Sequence, residues 1–175
     1  MTSIYLITGP AGVGKSTTSK KLAEQFKQSA YIEGDVINHM VVGGYVPPWE
    51  SDESLALVWK NIADLSINFL KANKNVIIDY VTFPEEVETF SQRLYAEVQH
   101  VKIYYVVLRV DNGELLKRDA ERPEEYQMGQ RCIELLKEFE QKGIQERHIV
   151  ETTNVQSTNI DETLQFIKNN PRFLY

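Results

Sequence analysis

The chain has 175 residues, 42% hydrophobic and 25% charged, with 19 basic against 25 acidic side chains and a formal net charge of −6. That balance suits one packed domain spanning residues 1–175 and lacks the positive field that gathers polynucleotides, so no nucleic-acid partner is expected. No apolar run reaches the ~18 residues of a membrane span, the start lacks the pattern of a signal peptide, and Cys132 is the one cysteine, which excludes an internal disulfide and suits a reducing cytoplasm.

Ile4 to Thr8 is short, apolar and closed by Gly9-Pro10, so it predicts a buried strand and a turn. A helix follows over Lys15 to Lys27, with Leu22, Ala23 and Phe26 on its apolar side. Ala30 to Glu33 predicts a second strand. The stretch from Asp52 to Ala72 carries Leu55, Val58, Trp59, Ile62, Leu65 and Phe69 at helical spacing, and Asn75 to Asp79 follows as a strand. Pro84 opens the next helix, and Val101 to Val110 is the most β-prone run of the chain. Gly113 to Glu121 predicts a helix, residues 122–125 a polar break, Met128 to Lys142 a helix, Ile149-Val150 a short strand, and Glu162 to Lys168 a closing helix. Five strands alternating with helices imply a parallel sheet covered on both faces, because parallel connections need crossovers.

Gly9-Pro10-Ala11-Gly12-Val13-Gly14-Lys15-Ser16 matches G-x-x-x-x-G-K-[ST] at the strand-to-helix junction where that pattern works. Glycines let backbone N–H groups curl around phosphate oxygens, and the helix N-terminus adds its positive dipole end. Lys15 then reaches the outer phosphates of ATP, Ser16 ligates Mg²⁺, and Thr17 lies just behind. The chain resembles the P-loop kinase group that includes nucleoside-monophosphate kinases, gluconate kinases, shikimate kinases and chloramphenicol phosphotransferases. That resemblance implies a three-layer α/β/α fold with sheet order 2-3-1-4-5, and a small arginine-bearing lid at about 118–131.

The resemblance also puts Asp35, in Glu33-Gly34-Asp35, beside the acceptor hydroxyl and the metal as general base or orienting group; a turn aspartate capping Val36 to Met40 is the plainer alternative. Asp79 closes an apolar strand as a metal-side carboxylate or as an ordinary turn residue. An acid there departs from gluconate kinases and leans the likeness toward chloramphenicol phosphotransferases. Arg118 and Arg122 share a helical face and can meet the triphosphate, with Arg131 near the acceptor; solvated ion pairs with nearby acids are the alternative. Thr153 and Asn154, after the last strand, resemble the segment that lines adenine in these kinases; an ordinary strand-to-helix connection is the alternative. Val41 to Glu50 falls where this group builds its acceptor pocket, so Tyr45 and Trp49 either stack on the acceptor or pin the loop. His39, His100 and His148 have no metal-ligand spacing.

The leading expectation is a kinase that moves the ATP γ-phosphate to a hydroxyl of a small molecule, gluconate-like or antibiotic-like. The other is an ATP-hydrolysing switch or nucleotide-binding module acting on a protein partner.

Overall fold

The computed structural model describes residues 2–155 and 159–175. Five strands, β1 (Ser3–Thr8), β2 (Ser29–Glu33), β3 (Asn75–Asp79), β4 (Lys102–Arg109) and β5 (Ile149–Glu151), form one parallel sheet in the order β2-β3-β1-β4-β5. Every residue of β1 is buried, as expected of a central strand covered on both faces. Ile4 and Leu6 point into one core with the long helix α3 (Asp52–Lys71) and α4 (Pro84–Glu97), while Tyr5 and Ile7 point into the other. That second core is closed by α1 (Lys15–Glu24), α5 (Asn112–Ala120), α6 (Gln130–Gln141) and α7 (Ile160–Ile167). The remaining helix, α2 (Gly34–Asn38), is a single short turn after β2.

Helix α1 ends at Glu24, three residues before its apolar pattern does. Phe26 turns onto the Tyr5 ring at 5.4 Å, and the carbonyls freed by the early stop are taken up, Ala23 O by Ser29 Oγ and Gln25 O by Lys168 Nζ, each at 2.7 Å. Packing against the sheet outweighs one more helical turn. The other helix starts follow local chemistry: Ser51 caps α3, Asp111 caps α5, and the Glu86 carboxylate accepts the Phe83 N–H at 2.7 Å where Pro84 opens α4.

Register brings the working ends of the strands together. Asp79 lies beside Ile7 of β1 and Glu33 of β2, so the first turn after β1, the start of α2 and the end of β3 share one edge. Gly34 makes that convergence possible, because a Cβ there would sit 2.3 Å from the Tyr80 ring just beyond β3. No helix among the described residues is long and apolar enough to cross a membrane.

Candidate active site

A cleft of about 1070 Å³ opens over this edge of the sheet. Its floor is the Gly9–Ser16 loop, whose three glycines at 9, 12 and 14 all have positive φ. At Gly9 a side chain is doubly excluded, since a Cβ would also lie 2.5 Å from the Leu108 carbonyl oxygen. Helix α1 starts without a side-chain cap and without an acid in its first turn, so its leading N–H groups and the exposed Ser16 and Thr17 are free for an anion. Lys15 Nζ folds back onto the Gly9 and Pro10 carbonyls, at 3.0 Å each. Burial depresses its pKa, and the nearby Asp79 and Asp35 carboxylates oppose that shift. An anion seated in the loop would add negative charge beside this ammonium and favour its protonated form.

Asp35 and Asp79 stand across from the loop. Asp35 occupies the first turn of α2 and makes no cap bond, which removes the capping role as the reason for its presence. Its side chain opens to the cleft, where loss of bulk water raises its pKa, Lys15 pulling it down and Asp79 and Glu33 pushing it up. Asp79 is 4% exposed, and its Oδ2 lies 3.0 Å from the Tyr31 hydroxyl, which also reaches Glu33 Oε2 at 3.1 Å. Among the described residues no three His, Cys, Asp or Glu side chains converge as a self-sufficient metal site. One hydroxyl and one or two carboxylates beside an anion loop nevertheless fit Mg²⁺, which keeps waters and phosphate oxygens in its shell rather than a full protein cage. Ser16, Asp79 and Asp35 are the residues that meet this description.

The two arginines of α5 and its following turn differ in what they do. The Arg118 guanidinium donates to the carbonyls of Val13, Thr152 and Val155 at 3.1, 2.8 and 2.9 Å and to Glu114 Oε1 at 2.8 Å. It ties the phosphate loop to the segment after β5. Arg122 makes a single ion pair, 3.3 Å from Asp119, and about a third of its side chain is exposed to the cleft. Asp119 itself is buried and accepts the Met128 and Gly129 N–H groups at the head of α6. Burial alone would raise its pKa, but those bonds, with Cys132 and Arg122, hold it below the usual carboxylate range. Between Asp119 and α6, residues 121–129 are almost wholly exposed, tied by that carboxylate at their end and by Gln127 Nε2, which donates to the Ala120 and Arg122 carbonyls at 3.2 and 2.8 Å.

The remaining expectations divide. Trp49 lines the cleft and is 67% exposed, whereas Tyr45 anchors the loop, accepting from Asn38 Nδ2 at 3.1 Å with its ring on His39. Arg131 reaches the cleft but is gripped by Glu138 at 2.8 Å and Glu134 at 3.3 Å. Beyond β5 the wall is made by Thr152, Val155, Ile160 and Thr163 rather than by Thr153 and Asn154. Thr153 Oγ1 is turned away to Glu151 and the Asp111 N–H, and the Asn154 carbonyl to Asn159. Sequence reasoning also missed Glu86, Phe83, Leu135 and Glu138, all cleft residues. In the sequence Glu86 carries only the signal of a helix cap, and the others that of a buried or solvated helix face.

The family model described as an AAA domain matches residues 6–155. A comparison with curated proteins finds none that matches. Among solved structures, the chain is similar to a gluconokinase from Sinorhizobium meliloti 1021 at 17% identity and a TM-score of 0.65, covering 95% of this chain and 91% of that one. It is similar to shikimate kinase from Bacteroides thetaiotaomicron, at 20% identity and a TM-score of 0.63, with 94% of each chain covered. The tunicamycin resistance protein of Deinococcus radiodurans gives 19% identity, a TM-score of 0.65 and the same coverage. At these identities the likeness shows the fold alone.

Proposed function

The chain belongs to the AAA domain family, a P-loop domain that implies nucleotide binding, and on that premise we propose that it is a phosphotransferase moving the γ-phosphate of ATP to a hydroxyl of a small molecule. One observation carries the reading: the carboxylates of Asp35 and Asp79 oppose Lys15 across a cleft whose walls continue well past the phosphate loop. A hydrolytic switch has no use for that extra wall, while a kinase needs room for a second substrate.

In this reading the loop and Lys15 hold the triphosphate, and the Arg118 bracket shapes the base end of the cleft. The acceptor hydroxyl approaches beside Asp35; its oxygen forms the new bond to the γ-phosphorus, the bond to the β-phosphate oxygen breaks, and the hydroxyl proton passes to Asp35. Desolvation makes that carboxylate a better proton acceptor than an ordinary aspartate. Arg122, with one pair to give up, is the cation that can swing onto the transferring group. Mg²⁺, when bound through Ser16, Asp79 and Asp35, supplies neutralisation of phosphate charge.

The test is ATP consumption with Mg²⁺, alone and with hydroxylated acceptors spanning sugar acids, shikimate, nucleosides, aminoglycosides and chloramphenicol. Acceptor-stimulated turnover with a phosphorylated product identified by mass is expected. Slow hydrolysis that no acceptor accelerates, in a protein that binds ATP, would instead favour the switch.

A further inference from the structure

The walls of the cleft beyond Asp35 narrow the kind of molecule that fits there. Four large apolar side chains lie exposed along that part of the cleft, Val36 and Trp49 from the segment after β2, Tyr126 and Met128 from the flap before α6. They come from stretches far apart in the chain, yet they line one opening. Leu55, Phe83 and Leu135 continue the apolar surface inward. Exposed apolar side chains scattered singly are ordinary, but a set gathered around one concavity marks a surface that gains by being covered.

Charge narrows it further. Of the cleft's basic side chains, Lys15 sits in the phosphate loop, His39 lies just after α2 near the Asp35 carboxylate with its ring against Tyr45, and Lys117, Arg118 and Arg122 belong to α5 and the turn after it. Arg131 is the cation α6 contributes, and it is held by both Glu134 and Glu138. Glu86 and Glu138 add negative charge to the same wall, with Glu86 fixed in place by the Phe83 N–H. Lys142, which lies near them, is taken by Glu85 at 2.8 Å. An acceptor bearing a carboxylate or phosphate would meet two acids and a guanidinium already satisfied, and would have to break those pairs to bind.

Resting on the phosphotransferase reading, we infer that the acceptor is an amphipathic alcohol without negative charge, seated with its apolar face against Trp49 and Tyr126 and its hydroxyl toward Asp35. Sugar acids and shikimate-like acids are poor fits for this wall. Tyr126 and Met128, which line the same cleft, extend the apolar surface that such a ligand would cover.

Trp49 reports on its own seat, because Trp59, the other tryptophan, is 7% exposed and shielded from a collisional quencher. The experiment uses the full chain with Mg²⁺ and a non-hydrolysable ATP analogue, and compares 1-phenylpropane-1,3-diol with gluconate and shikimate at equal millimolar concentration. Acrylamide quenching of tryptophan emission and thermal midpoint are both read. The diol is expected to cut the quenching constant about twofold and to add to the thermal shift, with Trp49→Ala weakening diol binding roughly tenfold in the thermal assay. Gluconate and shikimate are expected to do neither. Protection of Trp49 by either acid but not by the diol, or diol binding unchanged in Trp49→Ala, overturns the inference. Failure of the underlying kinase reading shows separately: no thermal shift from the ATP analogue alone removes the nucleotide site, and diol binding without diol-stimulated ATP turnover removes phosphoryl transfer while leaving the amphipathic seat.

Discussion

The two halves of the cleft are built on opposite principles. The phosphate floor hangs from β1, whose Ile4, Tyr5, Leu6 and Ile7 are fully buried, each burial worth about 1.5–3 kcal/mol. That anchorage holds one end of a loop whose glycines take their positive φ values without strain. Arg118 then locks the loop to the segment after β5 through three carbonyls. The acceptor rim has no such support. Residues 42–46 and 121–129 are exposed almost throughout, and their fixed points are few: Tyr45 on Asn38, Asp119 under the Met128 and Gly129 amides, and Gln127 Nε2 on the Ala120 and Arg122 carbonyls. A pre-formed floor suits a ligand whose phosphate geometry never varies. A lightly tethered rim can move, and local opening costs least where buried contacts are few.

Four substitutions test that contrast. The largest effect belongs to the floor: Lys15→Ala removes the ammonium held on the Gly9 and Pro10 carbonyls, and ATP-induced thermal stabilisation, about 2.7 kcal/mol at a hundredfold excess over Kd, should vanish. If the variant is stabilised by ATP as before, the loop is not the nucleotide site. At the junction of floor and rim, Asp35→Asn should cut transfer by ~10² or more while ATP still binds. Its sign in stability is the reverse. Because the fold raises the Asp35 pKa, the unfolded chain releases that proton at lower pH, and the ionised carboxylate destabilises the fold at neutral pH. Asn should therefore leave the thermal midpoint at pH 7 equal or higher, and a marked fall would mean that Asp35 serves structure rather than chemistry.

Arg118→Ala strands the Val13 carbonyl of the floor and the Val155 carbonyl after β5, while the Thr152 carbonyl keeps the Val155 N–H at 3.0 Å, and should cost about 2–3 kcal/mol, roughly 4–12 °C in midpoint, together with weaker ATP binding. Loss of turnover with midpoint and ATP affinity intact would instead make this arginine a transition-state group and Arg122 the dispensable one. The smallest effect is expected from the rim. Asp119→Ala frees two amides at the head of α6 for about 1–2 kcal/mol, and limited proteolysis should then cut within 121–129 while ATP affinity hardly changes. Equal protease resistance in both proteins would show that the flap is held by something other than this carboxylate.

Much of the floor was legible in the sequence because its determinants are local. The spacing from Gly9 to Ser16 encodes a backbone path directly, and the apolar runs ending at Thr8 and Asp79 announce buried strands whatever packs on them. The rim was not legible in the same way. Glu86 reads as a capping residue and is one, yet its position at the cleft wall depends on α4 starting beside β3's end. Thr153 and Asn154 were the expected lining after β5, but the chain turns there, the Val155 N–H donating to the Thr152 carbonyl at 3.0 Å, so the ends of the turn line the cleft and its two central residues do not, a choice that local pattern cannot resolve.

By itself, then, the sequence determined the strand and helix order, the parallel layered sheet and the phosphate loop, each of which rests on periodicity or on backbone freedom at named glycines. Only the tertiary structure decided that Arg118 is a bracket and Arg122 the looser cation, that Arg131 is already paired, that Tyr45 pins and Trp49 faces the cleft. Those roles depend on which partners arrive through space from distant parts of the chain. Charge and exposure belong to a neighbourhood, and no residue carries its neighbourhood in its own name.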